Sequence, residues 1–424
     1  MNILIVGGGG REHAIAQEII KNPKVEKLYA APGNGGMAEI CNLVPLKATD
    51  VDGMVHFACE NRIDYVIVAQ DDPLCLGMVD ALAEKGIPAF GPNRAAARIE
   101  GSKVFAKELM KRHGIPTAKY ERFDSYEEAL KYVQFAASLP VVVKADGLAL
   151  GKGVLICETR EQAENALKAV MLERKFGAAG DRVVIEEFLR GPEVSVLAFT
   201  DGRTLKPMIS SMDHKRALDG DEGLNTGGMG TVAPNPYYTP QIAVQAMQNI
   251  FLPTIRAMAS EGYPFKGCLY FGLMITEDGP KVIEYNCRFG DPETQVVLPL
   301  MKSDLLNVML ACTNGTLDEA EVEFSDESAC CVILASGGYP VSYQKGYLID
   351  GLENAAKTAK IYHAGTKRND NGEIVTSGGR VLGVTATAKD LKSAVDKAYA
   401  AAKKISFTDC HMRTDIGQRA LRAL

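Results

Sequence analysis

The chain has no basic excess. Lys and Arg total 47 against 53 Asp and Glu, a net charge of −6. A general binder of nucleic acid or membrane surfaces needs the opposite balance, although a local basic pocket stays open. No run of about 18 uninterrupted apolar residues is present, so no membrane-spanning helix is expected. The ten cysteines, Cys41 to Cys410, form no CxxC pair, which argues against a zinc ribbon or a thioredoxin-type motif. Scattered thiols in a chain of 424 residues suit a reducing compartment rather than a disulfide scaffold, and a cytoplasmic protein is expected. The opening MNILIVGGGG lacks a basic leader and reads as a buried first strand, not a signal peptide. The six histidines make no metal-binding pattern, and no Ser/His/Asp set is placed by spacing.

What is present is ordinary globular material, 46% hydrophobic and 24% charged, which excludes a long disordered chain and a fibrous repeat. The length suggests about three domains. In the first hundred residues, apolar runs at Asn2–Gly7, Lys27–Ala31, Asp64–Ala69 and Ile87–Phe90 alternate with helical spacings at 12–21, 51–61 and 74–85. That alternation predicts a parallel sheet with helices on both faces. A second unit starts near Gly101, where Ser102 is a candidate N-cap and Gly114 a helix stop. Strands follow at 116–123, 141–144, 154–157 and 182–188, with helices at 125–138 and 159–175 between them. The stretch 210–236 is rich in Gly, Asp and Asn and reads as a long irregular loop, functional or disordered. A helix at 240–260 and a hairpin, Cys268–Ile275 with Lys281–Asn286, come next. From about Asp326 small and β-branched residues predict a third, α+β unit.

Several segments could carry chemistry. Gly7–Gly10 lies between a strand and a helix, where backbone amides favour an anion. The dinucleotide pattern GxGxxG is only half met, because Glu12 stands at its third glycine. A dinucleotide, a phosphate-bearing substrate and a plain tight turn all remain open. Lys144 ends the buried strand PVVVK, where a cation is costly unless an anion meets it. The loop after it, with Gly151, Lys152 and Gly153, could close over phosphates or be a solvated hairpin; it is not a Walker A loop. VVIEEFLRGPE, at 183–193, could form an adenine-binding hinge or an edge strand. In KVIEYNCRFGDPE, alternation puts Val282, Glu284 and Asn286 on one face. A carboxylate and an amide there suit a hard cation such as Mg²⁺, and Arg288 could grip a carboxylate bidentately. A salt-bridged strand end is the alternative. Asp213–Arg216 and Asn225–Gly230 read most simply as a solvated excursion.

Taken in order, VGGGGREHA, PGNGG, EGSKVFAK, VVVKADGLALGKGV, EEFLRGPEVS, NTGGMG, YNCRFGDPETQ, ASGGYP, TSGGRVLGV and RTDIGQRAL resemble the ATP-grasp ligases, and within them the phosphoribosylamine–glycine ligase family. The resemblance runs the length of the chain. It implies an α/β and α+β multidomain protein: an N-terminal Rossmann-like domain (1–100), a split ATP-grasp region (101–325) whose smaller lobe, about 120–190, is a lid, and a C-terminal α+β domain (326–424). It implies an ATP-dependent union of glycine with 5-phosphoribosylamine in de novo purine synthesis, with Mg²⁺ or Mn²⁺, and a monomer that binds neither nucleic acid nor membrane. It assigns Lys103, Lys144, Gly151 and Gly153 to ATP phosphates, Glu186, Glu187, Leu189 and Glu193 to adenosine, and Glu284 and Asn286 to the metal. Lys144 and Arg288 become catalytic, with Arg288 on glycine's carboxylate, and Gly9, Gly10, Arg11, Glu12, Asp213 and Lys215 fall to phosphoribosylamine. The chain departs from the family pattern at Ala69–Asp72, where Gly-Pro-Glu is usual, and at Met412, where an aromatic is usual; the strand 269–276 also lacks the carboxylate many ATP-grasp enzymes carry. Two other classes compete: a nicotinamide oxidoreductase using Gly7–Gly10, and an inactive nucleotide-binding regulator.

Overall fold

The computed structural model of the chain describes residues 1–148 and 153–424. Gly151 and Lys152, expected in a phosphate-covering loop, lie outside the described residues. The first unit is a parallel sheet of β1 (Asn2–Gly7), β2 (Lys27–Pro32), β3 (Asn42–Leu43), β4 (Tyr65–Val68) and β5 (Ala89–Phe90), in the order β3-β2-β1-β4-β5. Ile3 and Ile5 pack into one core and Leu4 and Val6 into another. Helices on both faces therefore explain an apolar run without alternation. The strand order reverses beside β1, which opens a crevice at the carboxyl ends of the strands. The helix expected over 74–85 is two helices, Asp71–Leu76 and Met78–Glu84. Gly77 lies between them at φ +91°, a left-handed conformation that interrupts the helix and that glycine adopts at little cost.

The next sheet is antiparallel: β6 (Tyr120–Phe123), β7 (Val141–Ala145), β8 (Val154–Cys157) and β9 (Val183–Glu187), in the order β6-β9-β7-β8. Its own small core includes Ala129, Val143, Leu167 and Ile185. A larger antiparallel sheet begins with β10 (Glu193–Asp201) and β11 (Leu205–Pro207).

The expected irregular loop at 210–236 is not one. It holds β12 (Met212–Asp213), β13 (Arg216–Leu218), β14 (Glu222–Asn225) and β15 (Gly230–Ala233). Its strands are two to four residues long and mix polar, charged and apolar residues, so they carry no apolar signature. A Cβ at Gly230 would sit 2.8 Å from the Cys331 carbonyl oxygen; only glycine permits that approach. After it, β16 (Lys266–Thr276) and β17 (Gly279–Asn286) complete the larger sheet, β11-β10-β16-β17.

The last sheet, built on β18 (Ser328–Ser336), β19 (Lys360–His363) and, beyond a two-stranded excursion β20 (Thr366–Arg368) and β21 (Ile374–Thr376), β22 (Arg380–Ala388), takes in β12 and β15. The C-terminal unit is thus stitched into the middle of the chain. It also grips the first unit. Asn34, from PGNGG, donates to the carbonyls of Gly8 at 2.9 Å and His363 at 2.7 Å. The His363 N–H donates to His13 Nδ1 at 2.8 Å, and the two rings lie 5.5 Å apart. Gly36 leaves room for the His363 ring, which a Cβ would meet at 2.5 Å.

Both histidines are buried. Burial, aided by His363, pushes His13 down to about 3, and burial, aided by Arg368, pushes His363 down to about 4. An unfolded histidine titrates near 6.5, so the stabilising effect is full above about pH 6.5 and is lost as pH falls toward 4. By pH 5 the unfolding free energy should have dropped by about 2 kcal/mol per histidine. Urea unfolding at pH 7 and pH 5 tests this. His363→Gln should lose roughly half of the pH-linked drop, and an unchanged slope would remove the histidine pair as its cause.

Candidate active site

A cleft of about 730 Å³ runs between the two antiparallel sheets and the flanking units. Lys103 and Lys107 reach it from the helix Lys103–Arg112, which Ser102 caps by accepting from the Phe105 N–H at 3.1 Å. Their spacing of four residues puts both on one helix face. Lys144 comes from β7, Glu186 and Glu187 from β9, and Glu284 and Asn286 from β17. Lys103, Lys144, Gly153, Glu186, Glu187, Leu189, Glu193, Asp213, Lys215, Glu284, Asn286, Arg288 and Arg11 all line this one cleft.

At its centre is a buried charge chain. Glu186 lies 3.0 Å from the Lys144 ammonium and 3.1 Å from that of Lys107. Lys144 also donates to the Ile283 carbonyl at 3.1 Å, and Lys107 to Thr117 Oγ1 at 2.7 Å. Burial pulls Lys107 down to about 8 despite Glu186. Lys103 donates to the Gly147 carbonyl at 2.8 Å, and burial lowers its pKa too. The sequence offers Lys144 as a desolvated strand-end cation and leaves Lys107 unremarked; the four-residue spacing from Lys103 was the available signal.

Glu284 and Asn286 project into the cleft together, as alternation predicts. Val282 does not join them. A bulge at Ile283, where Gly272 pairs with Glu284 and Leu273 with Val282, turns Val282 into the core. Lys215 lies between Glu193 at 3.2 Å and Glu284 at 3.5 Å. It holds the Glu284 carboxyl below the usual range, against burial. Glu284 therefore stays ionised and, with the Asn286 amide, offers hard oxygen donors fit for Mg²⁺ or Mn²⁺. Among the described residues no cluster of three or more His, Cys, Asp or Glu could hold a metal by itself, so phosphate and water would have to complete a shell.

Arg288 is fixed by acids from the first unit and its junction. It lies 3.2 Å from Glu100 and 3.9 Å from Asp71, and donates to the Phe289 carbonyl at 3.2 Å. Its Nε is buried and makes no hydrogen bond. Burial works against its charge, but Glu100 and Asp71 more than reverse this. Glu100 in turn is raised by burial, and accepts from the Cys287 N–H at 2.6 Å. Asp71 stands in the segment that departs from the family pattern, and it keeps a carboxylate against Arg288.

Gly9, Gly10 and Glu12 do not line the cleft; Arg11 does. Glu12 is fully buried, accepts from the Gly9 N–H at 2.6 Å, and pairs with Arg11 at 2.6 Å. The residue that breaks the dinucleotide pattern thus occupies an amide that a pyrophosphate would need, which counts against the oxidoreductase. Asp213 and Lys215, read as a solvated excursion from the residues alone, lie in the cleft. Burial and nearby Glu293 push the Asp213 carboxyl well above its ordinary value. Arg380, absent from the sequence-based candidates, lies 3.3 Å from Asp291 and donates to the Gly227 carbonyl at 2.6 Å.

A lid-sized antiparallel sheet and a larger one closing on lysines, an acid–amide pair and an arginine define an ATP-grasp ligase. Family models of phosphoribosylglycinamide synthetase match along the chain: the N domain over residues 1–100, the ATP-grasp (A) domain over 101–294 and the C domain over 329–419. A phosphoribosylamine–glycine ligase of Halalkalibacterium halodurans is 49% identical over 99% of this chain and 97% of its own length. One of Vibrio vulnificus is 49% identical over 99% of each. The crystal structure of a phosphoribosylamine–glycine ligase from Thermotoga maritima superposes with a TM-score of 0.86 at 34% identity, covering 98% of this chain and 100% of that one. The chain belongs to the phosphoribosylamine–glycine ligase family and is an ATP-dependent ligase. A biotin carboxylase of Campylobacter jejuni shares the fold, with a TM-score of 0.75 at 14% identity over 97% of this chain and 92% of that one.

Glu186 is the only counter-charge within ion-pair distance of Lys107 and Lys144 among the described residues. Glu186→Gln leaves two buried ammonium groups unneutralised and should cost roughly 3–5 kcal/mol of stability. Lys107→Met leaves one pair intact and should cost less. Urea unfolding of both variants without nucleotide gives the comparison; the reverse order would mean that Glu186 is not the hub.

Proposed function

We propose that this protein joins glycine to 5-phosphoribosylamine through a glycyl phosphate, with ATP converted to ADP and phosphate. The observation that carries the proposal is the meeting of Lys103, Lys144, Glu284, Asn286 and Arg288 in one cleft. Such a cleft suits a phosphoryl transfer from ATP to a carboxylate. Lys103 and Lys144 would hold phosphate oxygens, with the loop that includes Gly151 and Gly153 beside them. Glu186, Glu187, Leu189 and Glu193 would surround adenosine. Glu284 and Asn286 would hold Mg²⁺ or Mn²⁺, which when bound neutralises charge on the transferring phosphoryl oxygens.

A carboxylate oxygen of glycine, gripped by Arg288, attacks the γ-phosphorus, and the bond to the bridging oxygen of ADP breaks. The amine nitrogen of phosphoribosylamine then attacks the carbonyl carbon, the bond from that carbon to the phosphate oxygen breaks, and the nitrogen gives up one proton to the departing phosphate or to water. No side-chain nucleophile is needed; catalysis is positioning and charge neutralisation. The crowded carboxylates Asp213 and Glu293 favour an amino or ammonium group between them, so Asp213 fits the phosphoribosylamine side, as does Arg11. Gly9, Gly10 and Glu12 would serve that side only by holding Arg11. Lys215, expected there as well, is better assigned to the nucleotide side by its contacts with Glu193 and Glu284. Free thiols at all ten cysteines fit a reducing cytoplasm, and we expect a monomer. Among the described residues no helix is long and apolar enough to cross a membrane.

The experiment is to supply glycine with both carboxylate oxygens heavy-labelled and weigh the released phosphate. One labelled oxygen per phosphate is expected, and phosphate without label excludes the acyl phosphate. Lys144→Ala removes a charge-assisted bond worth about 1.5–3 kcal/mol, so ATP affinity and turnover should fall about tenfold to a hundredfold. Steady-state kinetics with ATP varied checks this; a variant with parental constants would place Lys144 outside the phosphate site.

A further inference from the structure

We propose that Arg413, far along the chain in the C-terminal unit, is a positioning residue for Lys215 and so for the nucleotide half of the cleft. The RTDIG segment lies against the β13–β14 hairpin and does not itself line the cleft at Arg413. Arg413 is only 1% exposed, yet every nitrogen of its guanidinium is bonded. Nε and Nη2 form a fork on Asp415, at 2.7 and 2.8 Å. Nη1 donates to the Arg216 carbonyl at 3.1 Å and to Asp221 at 2.9 Å. Burying a guanidinium is costly unless it is fully satisfied, so this geometry holds the hairpin in one place.

The neighbouring residues repeat the grip. The Thr414 N–H donates to Asp219 at 2.7 Å, Asp415 accepts from the Gly220 N–H at 2.9 Å, and the Gly417 N–H donates to His214 Nε2 at 3.2 Å. The two residues flanking Lys215 in sequence, His214 and Arg216, are therefore both tied to the C-terminal segment. Lys215 itself is held by its carbonyl, which accepts from the Thr226 N–H at 2.8 Å and from Thr226 Oγ1 at 2.9 Å. With its backbone fixed on both sides, its ammonium reaches Glu193 and Glu284. A lysine side chain is otherwise free to move among many rotamers; the clamp confines the base from which it reaches. The C-terminal unit thus acts on the cleft through one lysine.

This inference rests on the assignment of Lys215 to the nucleotide side, and a double-mutant cycle separates the two. Lys215→Met alone should lower kcat/KM for ATP about tenfold to a hundredfold. Arg413→Lys keeps the charge but cannot serve Asp415, Asp221 and the Arg216 carbonyl together. It should raise KM for ATP about tenfold, with kcat changed by less than about threefold. A merely destabilised protein would instead lose kcat in proportion to the inactive fraction and keep its KM. In the Lys215→Met background, Arg413→Lys should add less than about a twofold further loss. Multiplying losses overturn the positioning role while leaving Lys215 in place; a silent Lys215→Met overturns the assignment of Lys215 and the inference with it. Should Arg413→Lys fail to fold, Asp219→Ala, on the exposed side of the same clamp, carries the cycle with the same two outcomes.

Discussion

The cleft depends on one buried carboxylate. Glu186 gathers a helix, the lid-sized sheet and the larger sheet through two ionic contacts: Lys107 comes from the helix, Lys144 from β7, and Lys144 passes the connection to β17 through the Ile283 carbonyl. A carboxylate between two buried ammonium groups leaves one positive charge in excess. That excess faces the cleft, with Lys103 beside it. Such an arrangement is poor at maximising stability, since apolar residues of similar volume often do better. It is well suited to receiving an anion, because the positive potential is already paid for by the fold before the ligand arrives.

The second constraint is that the cleft is not the property of one domain. β15 leaves the ATP-grasp region to pair with β18 and carries β12 on its other edge, and between them the chain returns to the cleft as the β13–β14 hairpin. The first unit contributes Asp71, with Glu100 at the junction, to fix Arg288, and the His13–His363–Asn34 joint ties that unit to the C-terminal one. Lys144, Lys215 and Arg288 are therefore each oriented by residues remote in sequence. This is how a site with no covalent nucleophile gains precision: the groups are held by contacts that do not themselves react.

Much of this was legible in the residues, and the failures have physical causes. The buried strands of the first sheet and the hairpin of β16 and β17 are visible because apolar runs and turn residues mark them. Alternation puts Glu284 and Asn286 on one face, as the structure has them, but fails for Val282, because a bulge at Ile283 breaks the two-residue period and leaves no sequence signature here. The 210–236 stretch reads as a loop because its strands are only two to four residues long, β13 and β14 pair only with each other, and β15 finds its partner in the distant β18. Gly77 split a helix that spacing alone would continue. Lys107 was hidden for another reason: a lysine on an amphipathic helix is normally solvated, and only the fold reveals that its ammonium meets Glu186. The family resemblance filled part of this gap, and it could do so because motifs record the contacts that periodicity cannot.

The polarity of the cleft bears on the order of events. Cations gather where Lys107 and Lys144 meet Glu186, with Lys103 lining the same cleft, while Asp213 has Glu293 as well as Lys215 and Arg380 for its neighbouring charges. The chain is acidic overall, so this separation is local design and not a reflection of net charge. A carboxylate and an amine that must react need opposite surroundings beforehand: the carboxylate is drawn to cations, the amine to carboxylates. In water the carboxylate does not acylate the amine, because it is a poor electrophile. On the proposed route, phosphorylation would turn it into an acyl phosphate whose added negative charge stays with the cations, while the acyl carbon becomes the electrophile for the amine. A site that grips the phosphoryl group through that step would favour phosphorylation first and amide formation second.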